Sequence, residues 1–261
     1  MATKLHIDNW INRAEPDYYT MFIKAWIPLN AWYYTEFTTK SDTVAIEKLC
    51  GTKNKIRNRI ESLLINDDSA SKLFKSNLAK LHSYLENRTV NNYGEKVSFK
   101  NIKLSDRFPS PVTDADKSKN IYKAIPHKTN GFRVVIITSQ NKTLMDKTFN
   151  PYDVNNFLLD NQYIALPNKK IKEKIKKCFE EINPNNPIDI TTNSKIKSEF
   201  ILLDNSIKFK NDTELIAQSI IQILYTLRCL LFHGELDPTE INQPLYEYGY
   251  NILKELIKEL K

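Results

Sequence analysis

The last fifty residues of the chain hold the pattern that most restricts its fold. Apolar residues recur at three- and four-residue spacing over Leu215–Leu231 and again over Leu245–Leu260, and this period places them on one side of an α-helix. Gly234 and the pair Asp237-Pro238 separate the two stretches, and these residue types are typical of a helix end and the turn that follows it. Two such helices joined by a short turn pack antiparallel, so the sequence predicts a helical bundle.

The same period occurs in the first 88 residues. It predicts a helix over Asp17–Thr35, which Pro28 kinks or divides. A second helix is predicted over Asp42–Ile65, where Gly51 is a possible interruption, and a third begins near Ser69.

The middle of the chain lacks the helical period of the first 88 residues. From about Thr89 to Asn168 prolines punctuate the sequence, and the β-branched run Phe132–Thr138 follows Asn130-Gly131, which predicts a strand. Helical spacing returns at Lys169. We therefore predict one mainly α domain, an antiparallel bundle with a helical core of residues 1–88 and 169–261 and an insertion at about 89–168 that carries a small β element.

Composition narrows the function classes. The 261 residues include 38 lysines and arginines against 31 acidic residues, a formal charge of +7, which permits a nucleic-acid partner without requiring one. Five glycines make a glycine-rich phosphate-binding loop improbable. Cys50, Cys178 and Cys229 are odd in number and far apart, with no zinc-ligand spacing, so we expect no metal and no cofactor.

The same features favour a cytoplasmic protein. The cysteine pattern fits a reducing compartment, and we expect no stretch to reach the ~18 apolar residues of a membrane span. The segment from Met1 to Asn12 alternates charged and apolar residues, unlike the apolar core of a signal peptide.

Arg228 and His233 are the candidate catalytic residues. Only seven arginines occur in the chain, and Arg228 lies in a run of leucine, isoleucine, tyrosine and phenylalanine, five residues before one of only four histidines. Histidine can move a proton near neutral pH, and arginine can stabilise charge on phosphoryl oxygens. The alternative is structural: His233 interacts with the helix end, and Arg228 pairs with Glu235, Asp237 or a neighbouring helix.

The segment Leu227–Pro238, LRCLLFHGELDP, resembles the R-x-x-x-x-H signature of the HEPN superfamily, a group of α-helical bundles. The run Phe22–Tyr33, FIKAWIPLNAWY, is similar to the aromatic, asparagine-containing first helix of several HEPN groups. The resemblance covers the two ends of the chain and implies a HEPN-like bundle.

The resemblance also implies an activity. Many HEPN proteins are metal-independent endoribonucleases of toxin–antitoxin and anti-phage systems, and they dimerise so that two motifs form one RNA-cleaving cleft. Arg228 would bind the scissile phosphate and His233 would transfer protons. Two positions depart from the pattern: Cys229 follows the arginine where Asn or Asp is common, and Glu235 occupies the position of a tyrosine that partner enzymes modify in some HEPN toxins.

We therefore expect an endoribonuclease that acts on RNA as a homodimer, with an antitoxin or defence-system partner and no membrane. The alternative is a non-catalytic HEPN-like scaffold that binds RNA or protein, which the departure at Cys229 favours. A DNA-binding regulator is a third possibility, but no helix-turn-helix pattern supports it. Cys229 as a nucleophile beside His233 is a further alternative, although a cysteine in an apolar helix is commonly a small core residue.

Further RNA contacts are predicted from clustered cations. One is the lysine-rich helix that begins at Lys169, and the other is the KNKIRNRI segment; both could equally be solvated surface. Aromatic side chains of the first helix could stack on bases but are more often core. The candidate cations are Lys169, Lys170, Lys172, Lys174, Lys176, Lys177, Arg57 and Arg59.

Overall fold

The structure, a computed structural model, describes Thr3, Lys4, Ile7 and residues 16–104, 109–127, 129–204 and 206–261. Most of the Met1-to-Asn12 segment, on which the signal-peptide prediction depends, therefore lies outside the described residues. The chain divides into two compact units. The helical unit comprises Met1–Ile102 and Pro187–Lys261, and the sheet unit comprises Lys103–Asn186.

The described elements are numbered here in chain order. The helices are α1 (Tyr18–Glu36), α2 (Asp42–Gly51), α3 (Lys55–Ile65), α4 (Ser69–Asn87), α5 (Val154–Leu159), α6 (Asn161–Ile164), α7 (Lys169–Glu181), α8 (Thr213–Phe232) and α9 (Gln243–Ile257). The strands are β1 (Asn91–Asn92), β2 (Glu95–Lys96), β3 (Val112–Ala115), β4 (Ile121–His127), β5 (Gly131–Ile137), β6 (Thr143–Phe149), β7 (Phe200–Leu202) and β8 (Lys208–Lys210).

Most of the longer helices begin at a side-chain cap. The cap oxygen accepts a hydrogen bond from a backbone N–H of the first turn, a donor that the helix itself leaves unpaired. The caps of α1, α2, α3, α4, α7 and α8 are Asp17, Ser41, Asn54, Asp68, Asn168 and Asp212.

Of the two predicted helix interruptions, at Pro28 and at Gly51, only the one at Gly51 divides a helix. Pro28 lies inside α1, which continues from Tyr18 to Glu36, so the proline does not divide this helix. The predicted second helix is in fact two, because α2 ends at Gly51 and Asn54 caps the start of α3. The interruption that the glycine made possible is therefore present.

The core of the helical unit forms between α9 and its neighbours. Helix α9 packs against α1 and α4, while α8 packs against α2 and α3. Gly249 permits the close approach of α9, since a Cβ atom there would lie 3.2 Å from Phe22 Cε2 and 3.3 Å from Leu227 Cδ1. The helical unit thus has a core of packed helices contributed by both ends of the chain.

Two small antiparallel sheets also belong to the helical unit. One pairs β1 with β2 and the other pairs β7 with β8. Phe209 of β8 packs against Phe99 and His82, with ring centroids 5.3 and 5.4 Å away. Strand β8 is therefore part of the unit's core, whereas β1 and β2 are largely exposed.

The sheet unit contains a four-stranded antiparallel sheet in the order β3-β4-β5-β6. Helix α7 packs against β3, β4 and β5. Its apolar stripe, Ile171, Ile175, Phe179 and Ile182, joins Tyr122 and the inward side chains of the strands in one buried cluster.

The predicted fold class is wrong for the chain as a whole. About 51% of the described residues are helical and 16% lie in strands, which is too much strand for a mainly α bundle with one small β insert. The 3.6-residue period of the helix at Lys169 predicts a place in the helical core, whereas the helix packs on the sheet. A helix that packs on a sheet has the same period as one that packs in a bundle, because both bury one face.

Helix α8 has the length and composition of a membrane-spanning helix. Half of this apolar stretch is buried inside the protein. The expectation that no stretch approaches a membrane span is therefore wrong on composition. Core helices of soluble proteins have this composition too, and α8 buries nine residues in the helical unit.

Candidate functional site

The C-terminal end of α8 is fixed by a Schellman motif. Gly234 adopts a left-handed conformation with φ of 65°, and the N–H of Glu235 donates to the carbonyl of Leu230 at 3.0 Å. This 6→1 hydrogen bond is characteristic of the motif. His233 is the C-cap residue and its side chain is exposed. The predicted helix end at His233-Gly234 is confirmed, and it holds the backbone of His233 in one place.

Arg228 points from the same helix end toward the start of α2. Its Nη2 atom lies 2.9 Å from Oδ2 of Asp42, and each of the two side chains is 20% exposed. The guanidinium carbon is 4.6 Å from the ring centroid of Phe232, a cation–π contact. Arg228 is thus held between a carboxylate and an aromatic ring, and the ion pair with a neighbouring helix is present.

Asp42 is the centre of a hydrogen-bond cluster. Its Oδ1 atom accepts hydrogen bonds from the hydroxyls of Tyr33 at 2.6 Å and Tyr34 at 2.7 Å, and from Nδ2 of Asn30 at 3.2 Å. Asn30 also donates to the Tyr33 hydroxyl. All three donors belong to α1, whereas Arg228 on α8 engages the other carboxylate oxygen. We call these five residues the Asp42 cluster.

The charges of the Asp42 cluster follow from these contacts. Burial raises the pKa of Asp42, but the hydrogen bonds from Tyr33 and Tyr34 and the charge of Arg228 outweigh it, so the pKa lies below its usual value. Burial lowers the pKa of Arg228, and the charge of Asp42 together with smaller contributions from Cys229 and Tyr33 more than restores it. Burial and the bond to Asp42 raise the pKa of Tyr33, and the bond to Asp42 and burial raise that of Tyr34. At neutral pH the cluster holds one carboxylate, one guanidinium and two neutral tyrosines.

His233 is arranged differently from Arg228. No described residue forms a hydrogen bond or ion pair with its ring. Five residues along a helix correspond to about 140° of rotation and about 7.5 Å of rise, so the two side chains leave the helix in different directions. Arg228 faces α2, and His233 is open to a molecule from solution.

Cys229, which directly follows Arg228 in the motif, is half-buried. Burial is the main cause that raises the pKa of its neighbour Tyr225, and Cys229 adds to the shift. Cys229 therefore lies in the helix interface beside an aromatic ring, in the manner of a small core residue.

The predicted RNA-binding lysines lie on α7 in the sheet unit. Three of them form i,i+4 ion pairs on the same helix: Lys169 with Glu173, Lys176 with Glu180, and Lys177 with Glu181. Lys174 pairs with Asp114 on β3, Lys172 donates to the carbonyl of Ile164, and Lys170 is exposed. These contacts are typical of a solvated helix face, since exposed pairs are weak and leave lysine mobile.

Arg57 and Arg59 connect helices of the helical unit. Arg57 is 1% exposed, and its Nη2 atom lies 2.8 Å from Glu214 at the start of α8. It also donates to the carbonyl of Cys50 at 2.9 Å. Arg59 lies 3.3 Å from Glu259. A buried guanidinium paired in this way cannot reach a phosphate without breaking the helix packing, so Arg57 has a structural role.

Several aromatic side chains of α1 lie in the core, and so does His82 of α4. Trp26 and Tyr33 are buried, so their rings are not free to stack on bases. Trp32 is half-buried and packs edge-on against Phe37. His82 is buried between aromatic rings, 4.0 Å from Glu86. Within the described ranges, no group of three or more His, Cys, Asp or Glu residues is arranged to hold a metal ion.

Sequence reasoning did not assign Asp42, Tyr34 or Asn30 to the site. The three-residue spacing of Asn30 and Tyr33 places them on one helical face, and this spacing is the sequence feature that could have indicated Asn30. The position of Asp42 depends on the turn between α1 and α2, which periodicity does not determine.

The chain was compared with protein-family models, with curated proteins and with solved structures, and none of them matches it.

Proposed function

We propose that this protein is a metal-independent endoribonuclease of the HEPN type, with its site at the end of α8. One observation carries the proposal: a charged guanidinium is held in place on the last turns of a helix whose C-cap is an exposed histidine. The two residue types are those that phosphodiester cleavage by proton transfer and charge stabilisation requires.

The proposed reaction is an intramolecular displacement at phosphorus. His233 accepts the proton of a ribose 2′-hydroxyl, and the 2′-oxygen attacks the adjacent phosphorus. The P–O5′ bond breaks, the leaving oxygen takes a proton from water, and protonated His233 returns its proton to the solvent, so that a 2′,3′-cyclic phosphate and a 5′-hydroxyl form. Arg228 stabilises the charge that gathers on the non-bridging oxygens.

The divergence of the two side chains supports a homodimer. Because Arg228 and His233 are separated by about 140° around the helix, Arg228 of one subunit and His233 of a second could face the same phosphate more readily than the pair in one chain. Phe232, between them in sequence, is 54% exposed. In this proposal the dimer acts in the cytoplasm as the effector of a toxin–antitoxin or anti-phage system.

The ion pair between Arg228 and Asp42 favours a second candidate function. It neutralises the arginine, and His233 has no described partner that would orient its ring. A HEPN-like scaffold that binds RNA or a partner protein without cleaving RNA would have these properties.

The test is cleavage of total RNA and tRNA by the purified protein in EDTA. We expect cleavage by the wild type and a loss of about 10²-fold or more in Arg228→Ala and His233→Ala. Arg133→Ala and His127→Ala are matched controls, since both residues lie in the sheet unit. Cleavage that persists equally in the two site variants would contradict the assignment, and RNA binding without cleavage would support the scaffold.

A further inference from the structure

We infer that Asp42 is a positioning residue that fixes the orientation of the Arg228 guanidinium for the reacting phosphate; this inference rests on the proposed function. Neither the R-x-x-x-x-H motif nor its spacing includes Asp42. It lies 186 positions before Arg228 in the chain, and only the packing of α2 beside α8 brings the two together.

The carboxylate of Asp42 is anchored independently of the arginine. The three donors on Oδ1 all come from α1, and two of them are hydroxyls at 2.6 and 2.7 Å. Hydrogen bonds to an ionised acceptor are short and about twice as strong as neutral ones. Because these donors crowd one oxygen, they set the rotation of the carboxylate and hence the position of the other oxygen, Oδ2.

Oδ2 in turn holds the guanidinium. Nη2 of Arg228 is 2.9 Å from Oδ2, and the Phe232 ring contacts the guanidinium face. Nε is buried and bonds to no described residue. With Nη2 bonded to Oδ2 and the guanidinium face against Phe232, the group has little freedom to rotate, and a fifth of the side chain remains exposed. A guanidinium fixed before the substrate arrives loses less side-chain freedom when it binds the phosphate.

Asp42 also places a negative charge beside a site for an anion. A residue that served only substrate affinity would not carry that charge, because it opposes RNA binding. Asp42 therefore has opposite effects on two measurable quantities: it favours the chemical step and disfavours binding. Replacing a residue that only stabilises the fold would not change the chemical step and substrate binding in opposite directions.

The first experiment is steady-state cleavage of a short RNA in EDTA by Asp42→Asn, which keeps the shape of the side chain and removes its charge. We expect kcat to fall about 10²-fold, the effect of misplacing a reacting group by about 1 Å, while KM stays the same or falls. The matched control is Asp146→Asn, which breaks the Arg133–Asp146 pair in the sheet unit and should leave both constants unchanged. A kcat within twofold of the wild type, or a rise in KM with unchanged kcat, would overturn the inference.

The second experiment measures the exchange of the Arg228 Nε proton with water and does not depend on RNA cleavage. In ¹⁵N-arginine-labelled protein, the Nε–H signal of Arg228 is identified by its loss in Arg228→Lys. We expect slow exchange of this proton with water in the wild type, because Nε is buried, and at least tenfold faster exchange in Asp42→Asn with an unchanged backbone spectrum.

The two experiments separate the possible failures. If the wild type cleaves no RNA but exchange accelerates in Asp42→Asn, the proposed function fails while Asp42 still fixes Arg228. If exchange is the same in the variant and the wild type, Asp42 does not position the arginine, whatever the protein does to RNA.

Discussion

Replacing Tyr33 with phenylalanine removes one oxygen atom from the most buried part of the Asp42 cluster. The Tyr33 side chain is 0% exposed, and its hydroxyl donates to Asp42 at 2.6 Å. A hydrogen bond to a charged group contributes about 1.5–3 kcal/mol, and no water can replace this donor without repacking. Asp42 keeps its bonds from Tyr34 and Asn30, so we expect Tyr33→Phe to lower the free energy of unfolding by about 2 kcal/mol.

Tyr34→Phe is the matched control. Its hydroxyl bonds to the same Asp42 oxygen at 2.7 Å, but the side chain is half-buried, so water can replace the lost donor. We expect a cost of about 0.5–1 kcal/mol. The difference between the two variants therefore measures the effect of burial on one kind of hydrogen bond.

The assay is urea unfolding followed by tryptophan fluorescence. All three tryptophans lie in the first 32 residues, so the signal reports on the helical unit. Equal costs for Tyr33→Phe and Tyr34→Phe, or a cost below about 0.5 kcal/mol for Tyr33→Phe, would show that burial does not strengthen the bond from Tyr33 to Asp42.

The same pair of variants has a pH dependence with a definite sign. The pKa of Asp42 lies below its usual value of 3.8, so its ionised form contributes stability above pH 3.8 that is lost as the pH falls through the folded-state pKa. The cost of Tyr33→Phe should therefore shrink at pH values below 3.8. A cost that stays constant across that range would contradict a charge-assisted bond.

Two further predictions concern other parts of the chain. Gly131→Ala should destabilise the sheet unit by more than about 2 kcal/mol, because φ is 85° and the new Cβ would lie 2.3 Å from a backbone oxygen of β6. In Gly94→Ala, with φ of 80° and open space, the cost should be only about 1 kcal/mol; equal losses, measured by urea unfolding with circular dichroism, would exclude the steric contribution. Burial lowers the pKa of His82, and Glu86 opposes it only in part, so the free energy of unfolding should fall as the pH drops below 6.5 toward the folded-state pKa. His82→Phe should flatten this slope between pH 7 and 5, and an unchanged slope would show that another group causes it.

Helix positions could be predicted from the sequence because they depend on local residues. The apolar period of α8 and Gly234 after it gave the helix end, and the structure places the C-cap at His233. Gly51 marked a real break between α2 and α3. Capping and turn chemistry act over three or four residues, a distance at which sequence patterns are informative.

The partner of a helix face could not be predicted in the same way. The stripe from Ile171 to Ile182 indicates a buried face, but nothing in α7 itself distinguishes a sheet from other helices as the covering surface. Only one strand of the middle region, at Phe132–Thr138, had a clear β signal, whereas the structure has four strands in that sheet. Strand pairing depends on contacts far apart in sequence, such as Arg133 with Asp146.

Only the part of the candidate site that lies in one local motif could be predicted from the sequence. Arg228 and His233 lie in one motif and could be found by spacing and rarity. Asp42 could not, since an aspartate at the start of a helix is usually explained by the helix dipole. Arg57 shows the opposite error: it lies in a basic segment, but its contact with Glu214 makes it part of the core.

We propose that His233 and Arg228 cleave RNA through attack by the ribose 2′-hydroxyl. The most direct measurement is the single-turnover cleavage rate of a defined RNA in EDTA, compared with the same RNA carrying one 2′-deoxyribose at the cleaved position. We expect the wild type to cut the all-ribose substrate to a 2′,3′-cyclic phosphate and to leave the 2′-deoxy substrate intact. His233→Ala should lower the all-ribose rate by about 10²-fold or more. Cleavage of both substrates at similar rates, or an all-ribose rate unchanged in His233→Ala, would contradict it.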